Sequence, residues 1–289
     1  EVLADIEFVK DYVFREYYNP SLNALQWQLE DSTGQSKEDK KLVAQLDQMN
    51  AYLVMITPLL PEPRRSEWTA DLVRLSRIMI GQFYSTNENV LFLQSNRPQD
   101  LDLGVTGTDF GHTIKALWMI RFTGLLAGDK ELIDFAESNG LRVLERAFHN
   151  DSGSWASGLK AGGALDLDKS WWIYAELDQF AATMSLIDPS YNTFLERTYP
   201  YWLDNFVDKK YGEVWTTING ETHQPRTDLP KSWPWKNAYH SVEHSLVAYI
   251  ATTQNEGAPV RLYYAFPEPP ADNALIRPYL FSGQVQAIE

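Results

Sequence analysis

Apolar residues recur at intervals of three and four along most of this chain, which is the spacing of one buried helix face. Residues 4–18 place Ile6, Val9, Val13 and Tyr17 on one stripe. Residues 40–60 place Val43, Leu46, Met49, Leu53 and Ile56 on another, closed by Pro61 and Pro63. Ser66 reads as the N-cap of a helix over 66–84 with Leu72, Leu75, Ile78 and Met79 facing inward. Residues 109–126 and 130–148 form a helical pair joined at Ala127-Gly128-Asp129. Residues 169–186 and 190–206 form another, joined at Asp188-Pro189, and 234–253 hold the last helix. The pattern predicts an all-α chain of about eight helices.

Polar, Gly-rich segments between the helices contain short apolar stretches, 90–94, 153–157 and 213–218, that read as short strands. The tail, 257–289, alternates over 260–266 and 279–288 around a Pro-rich turn, which predicts a hairpin. No long linker divides the chain, so residues 1–289 read as a single domain. A repeat is also visible: a helix ends in an aromatic residue, a polar turn follows, and a Trp or a short extended stretch comes next. The anchors Tyr18, Phe83, Phe148 and Phe206 lie 65, 65 and 58 residues apart. A unit of about 60 residues is one helical hairpin with its connection, and such hairpins stack because one alone cannot bury its apolar face.

Composition narrows the partners. Lys and Arg number 25 against 39 Asp and Glu among 289 residues, a net charge of −14. That balance argues against nucleic acid and against anionic membranes, both of which need a basic face. Cysteine is absent, which excludes thiolate chemistry, disulfides and Cys-ligated metals. No apolar run is long enough for a transmembrane helix. The 10 Trp, 15 Tyr and 13 Phe suit either a large helical core or a sugar site, where flat rings stack on pyranose C–H faces.

Four segments concentrate polar chemistry. In the first, 109–118, His112 sits in the opening turn of a helix after Gly111. The positive helix terminus and Lys115, three residues on, both disfavour imidazolium, so a neutral, proton-accepting His112 is expected. In the second, 169–176, Trp172 and Glu176 share a helix face. The third is Gly212-Glu213-Val214-Trp215, after a helix end. The fourth, 231–244, packs two Trp, two Lys, Tyr239, His240, Glu243 and His244 into fourteen residues. His240 and His244 are spaced to bind one metal ion, but the residues between them do not follow the zinc-protease pattern, and no metal site is expected.

At these residues the chain resembles the N-acylglucosamine 2-epimerase family, which includes cellobiose 2-epimerases and aldose–ketose isomerases. The family motifs G-H-x-x-E-x-x-W, K-x-W-W-x-Q-A-E, G-E-W and K-x-x-P-W-K-x-P-Y-H-N are met in order over roughly 42–250. Matches fall at Gly111, His112 and Trp118; at Lys169, Trp171, Trp172, Ala175 and Glu176; at Gly212 and Glu213; and at Lys231, Pro234, Trp235, Lys236, Tyr239 and His240. The resemblance implies an (α/α)6 barrel-like toroid of helical hairpins. It also implies cofactor-free, metal-independent proton transfer on a mono- or disaccharide through an enediolate, and a cytoplasmic setting. His112 and His240 take the two acid/base positions, while Trp118, Trp172, Glu176, Trp235 and Tyr239 line the sugar site. The chain departs from the family at Lys115, where the family has an acid, at Asn50, where it has a third His, at Tyr174, and at Ser241 and Glu243. Asn50 is then expected to hydrogen-bond sugar, Lys115 to polarise a carbonyl or bind an acidic substrate, and Glu243 to join the substrate-binding set.

Two other function classes compete. The same barrel could host a glycoside hydrolase or lyase, with Asp109, Glu176, Glu213 and Glu243 as candidate carboxylates. It could also serve as a non-catalytic sugar-binding module. Six repeats of this length would need roughly 360 residues. The resemblance places the missing hairpins on the N-terminal side, so a partner chain or a second copy is expected to cover the edge presented by 4–18.

Overall fold

The computed structural model describes residues 2–38, 40–47, 51–94, 107–265, 268 and 277–284. Among them lie nine helices: α1 Val2–Tyr17, α2 Leu42–Gln45, α3 Ala51–Ile56, α4 Arg64–Phe83, α5 Phe110–Ala127, α6 Lys130–Ala147, α7 Trp171–Ser185, α8 Asn192–Tyr201 and α9 Tyr239–Asn255. None of the described helices is long and apolar enough to cross a membrane.

Burial sorts the helices into two layers. Helix α5 is buried almost continuously from Phe110 to Gly124, and α7 from Trp171 to Ser185 with few breaks, as all-round apolar helices must be. Helix α6 instead buries one stripe, Leu132, Ala136, Asn139, Gly140, Val143, Leu144 and Ala147. Helices α5, α7 and α9 pack side by side as an inner layer, with α4, α6 and α8 outside them. The hairpin of α5 and α6 closes at Gly128, in the left-handed region, and Asp129 caps α6 by accepting from the Leu132 N–H.

The repeat in the sequence is a repeated corner. Each outer helix runs into an extended residue that pairs with the residue seven further on: Tyr18 with Leu25, Tyr84 with Leu91, Phe148 with Trp155 and Val207 with Val214. The residue just before each returning strand is left-handed: Asn23, Asn89, Gly153 and Glu213. Asn tolerates this conformation better than most side chains. At the first two corners it also accepts a bond from the opening Tyr hydroxyl, Tyr18 to Asn23 and Tyr84 to Asn89, both 2.7 Å.

Several expected boundaries move. Helices α2 and α3 lie within the helix expected over 40–60, residues 48–50 between them lie outside the described residues, and its last turn, Thr57–Leu59, is 3-10, where Pro58 cannot continue an α-helix. Helix α4 starts at Arg64, so Ser66 lies inside it. Glu62 takes the capping role, accepting from the Ser66 backbone N–H and hydroxyl. Helix α9 starts at Tyr239 rather than 234, because Trp233 and Lys236 exchange backbone hydrogen bonds in a tight turn. The described parts of the tail, 257–265 and 277–284, contain no strand, and the rest of the expected hairpin lies outside the described residues. Leu280 and Phe281 are buried instead, with Tyr279 set against Trp118 of α5. On α1, Phe8 and Tyr12 stack on each other on the exposed side of the helix.

Asp178 of α7, fully enclosed, ties three neighbours together. Its Oδ1 accepts from Trp155 Nε1 at 2.8 Å and from the Thr198 hydroxyl at 2.6 Å, and its Oδ2 meets His244 Nε2 at 2.7 Å. His244 stacks on Trp202, ring centres 4.2 Å apart. This histidine is therefore a packing residue and not one of a metal-binding pair with His240. Asp178→Ala strands three buried polar groups and is expected to cost roughly 3–5 kcal/mol, read as a lower denaturation midpoint in urea.

Candidate active site

The first turns of α5, α7 and α9 meet, and each delivers one of the motif segments. Helix α5 begins with a cap that does two jobs. Asp109 Oδ1 accepts from the His112 backbone N–H at 2.6 Å, and Oδ2 accepts from His112 Nδ1 at 2.6 Å. One carboxylate thus starts the helix and fixes the imidazole with its proton on Nδ1, leaving Nε2 as the basic nitrogen. Gly111 is required beside it: a Cβ there would lie 2.6 Å from the Trp172 ring. That close approach lets α5 and α7 bring His112 against Trp172, ring centres 4.7 Å apart and edge to face. His240, from α9, packs against the same indole at 6.0 Å.

Below the indole lies a buried acid pair. Glu176 is 0% exposed, and its Oε2 accepts from Trp118 Nε1 at 2.8 Å. Its Oε1 lies 3.4 Å from His240 Nδ1, and Glu243 Oε2 lies 3.3 Å from the same nitrogen. Neither approach makes a hydrogen bond, so all three atoms are buried without one. The Tyr239 hydroxyl donates to the other oxygen of Glu243 at 3.4 Å. Burial pulls the His240 imidazole down, but the two carboxylates outweigh it and lift it to about 9. Burial and the charge of Glu176 push the Glu243 carboxyl up to about 7.

The pKa shift of His112 runs opposite to the one the helix terminus and Lys115 suggest. Burial alone would lower its pKa, and Lys115 adds to that, but the charge and hydrogen bond of Asp109, with Asp47 beyond, raise it above the ordinary imidazole value. Lys115 turns to Asp47, its ammonium donating to Oδ1 at 2.6 Å. Burial disfavours that charge too, yet Glu176, Asp47 and Glu243 hold the ammonium above its usual range.

Of the sequence-derived candidates, His112, Lys115, Trp118, Trp172, Glu176, Tyr239, His240 and Glu243 come together in this way. Trp235 does not: it is 83% exposed in the turn before α9, while Trp171 and Trp233 are the indoles packed against each other there. Asn50 lies outside the described residues. Glu213 acts as a clasp, accepting from buried Lys236 at 2.5 Å and from the Ser241 hydroxyl at 2.8 Å, which anchors the turn and the start of α9. Sequence reasoning did not assign Asp47 a role and read Asp109 only as a candidate hydrolytic acid. The spacing of Asp109 three residues before His112 is the signal that could have revealed the cap. A cavity of about 270 Å³ borders Asp109, between Thr108, Ser157, Asp166, Asp168 and Thr217.

Two measurements check this geometry. By NMR, the His112 ring is expected to titrate above ordinary histidine in the native chain and to fall in Asp109→Asn, because the neutral amide removes the charge that favours imidazolium. Gly111→Ala is expected to move the Trp172 indole, read as a change in its fluorescence and in the His112 ring shifts, with a stability loss of about 1–3 kcal/mol.

No family model matches the chain. Cellobiose 2-epimerase from Eubacterium cellulosolvens is 24% identical over 170 residues, 57% of this chain and 40% of that protein. The structure of cellobiose 2-epimerase from Bacillus thermoamylovorans superposes with a TM-score of 0.69 at 17% identity, over 83% of this chain and 63% of that one. A D-mannose isomerase gives 0.68 at 16%, over 86% and 64%. A glycoside hydrolase family 76 mannosidase from Bacteroides thetaiotaomicron gives 0.66 at 13%, over 89% and 68%. The chain spans about two-fifths of the curated relative and under two-thirds of the epimerase and isomerase structures. The helical hairpins are those of the (α/α)6 toroid. The four motifs in order, that fold and the partial sequence match make the chain similar to the N-acylglucosamine 2-epimerase and cellobiose 2-epimerase family.

Proposed function

We propose that the chain is part of a sugar epimerase or aldose–ketose isomerase that moves a proton on a reducing mono- or disaccharide. One observation carries the reading: two imidazoles rest on one indole, each with Nδ1 beside carboxylate, so that each can offer Nε2 to a substrate. In the opened sugar, the hydrogen next to the carbonyl is acidic because its loss gives an enediolate. His112 takes that proton on Nε2, and Asp109 stabilises the imidazolium that forms. His240 supplies a proton to the other face of C2, giving the epimer, or to C1, giving the ketose. Trp172 separates the two rings and gives the sugar an apolar floor. Lys115 lies near enough to Glu176 and Glu243 to offset part of their charge.

Hydrolysis is supported less well by the same residues. A glycosidase needs two available carboxylates about 5–10 Å apart. Here Asp109 is spent on His112 and Glu213 on Lys236 and Ser241, while Glu176 and Glu243 crowd one nitrogen. The likeness to a family 76 mannosidase shows a shared fold alone.

The test is proton NMR of glucose, mannose, fructose and cellobiose incubated with the protein in deuterated water. Deuterium is expected at C2, with the rate falling about 100-fold or more in His112→Ala and in His240→Ala. New reducing ends from a glycoside, without exchange at C2, would replace this reading by hydrolysis. Saturable binding with no conversion would replace it by a sugar-binding module.

A further inference from the structure

Around His240, three ligand atoms converge in a way that proton transfer alone does not require. Glu176 Oε1, Glu243 Oε2 and His240 Nδ1 are all buried and all without a hydrogen bond. The three groups present ligand atoms within 4.8 Å of one another. The nitrogen stands 3.4 and 3.3 Å from the two oxygens. Ligand atoms around a first-row divalent ion with bonds of about 2.0–2.1 Å lie about 3.0–3.4 Å apart, depending on the coordination polyhedron. The two contacts to nitrogen therefore already have the length of a coordination edge, and binding needs only to draw the carboxylates together.

The surroundings orient these atoms as an outer shell orients metal ligands. Trp118 Nε1 holds Oε2 of Glu176, which turns Oε1 inward. The Tyr239 hydroxyl holds Oε1 of Glu243, which turns Oε2 inward. The nearby cation, Lys115, bonds Asp47 and neither member of the pair. Two carboxylates enclosed side by side also repel each other. A divalent cation relieves that repulsion more fully than one proton does.

We infer that Glu176, His240 and Glu243 form a binding site for one divalent transition-metal ion of the zinc or cobalt type. The mixed imidazole and carboxylate donors suit those ions better than magnesium or calcium, which favour oxygen alone. The ion and a proton on Nδ1 exclude each other, so metal binding takes His240 out of acid–base exchange. The site makes the chain a sugar-active protein whose second imidazole is held by metal when metal is available.

Metal binding is tested without sugar. Chelator-treated protein titrated with zinc in a calorimeter is expected to take up one equivalent with micromolar or tighter affinity. Glu243→Gln, which keeps the side-chain shape, is expected to weaken it at least 100-fold at unchanged helical circular dichroism, and Tyr239→Phe about 10-fold. Cobalt added to the unmodified chain is expected to give visible d–d absorption at one equivalent, which zinc then displaces, so the test stands even if a variant fails to fold. No zinc uptake, or equal uptake by Glu243→Gln, would overturn the site. Deuterium exchange into sugar, measured with chelator present, reports on proton transfer separately, so either reading can fail while the other holds.

Discussion

Helix α7 carries two carboxylates away from water, and the arrangement of its neighbours follows from what each needs. Glu176 and Asp178 are two residues apart, so they leave the helix about 200° from each other. An unpaired buried carboxylate is too costly to keep, so each side of α7 must present donors. On one side Asp178 gathers Trp155, Thr198 and His244, which fixes a corner, an outer helix and the middle of α9. On the other, Glu176 gathers Trp118 of α5 and His240 at the start of α9. Helix α9 is therefore held twice, four residues apart, by His240 and His244. The second contact sets the rotation that lets the first face the site.

The corners supply the other constraint. Each closes the same seven-residue ladder and turns on one left-handed residue, so successive outer helices hand the chain back at a nearly constant geometry. A constant corner brings the inner helices in with their first turns at the same end of the layer. Helix N-termini present unpaired N–H groups there, and acidic side chains are the natural complement. Asp109 answers that need at α5 and uses its second oxygen to orient His112. The acidic cap that starts α5 thus also determines which nitrogen of His112 is free.

Much of this was legible in the residues. Helical spacing and the aromatic anchors gave the hairpins and their period, because packing periodicity is written directly into the chain. The structural period runs through Tyr18, Tyr84, Phe148 and Val207, one residue off the aromatic anchor at two corners, since the ladder counts extended residues and the eye counts rings. The ordered motifs placed His112, Trp172, Glu176 and His240 together. What escaped was set by long-range partners. Asp47 reaches Lys115 across 68 positions, and Asp109 with Asp47 raises the pKa of His112 against burial and Lys115. Trp235 matched its motif yet faces solvent, because the turn at Trp233–Lys236 spends its inward positions on Trp233 and Lys236. The last turn of the helix expected over 40–60 is 3-10 at Pro58, a local signal that apolar spacing had masked.

The departures from the family pattern form one physical unit. Lys115 stands where the resemblance leads one to expect an acid, and Glu243 is a further departure after His240. The Glu243 carboxylate stands beside Glu176 on the His240 side, and the Lys115 ammonium is drawn to Asp47 on the other side. His240 consequently sits between two acids with no strong cation bonded to either, an environment that retains a positive charge of some kind. A proton satisfies it in one way and a divalent ion in another.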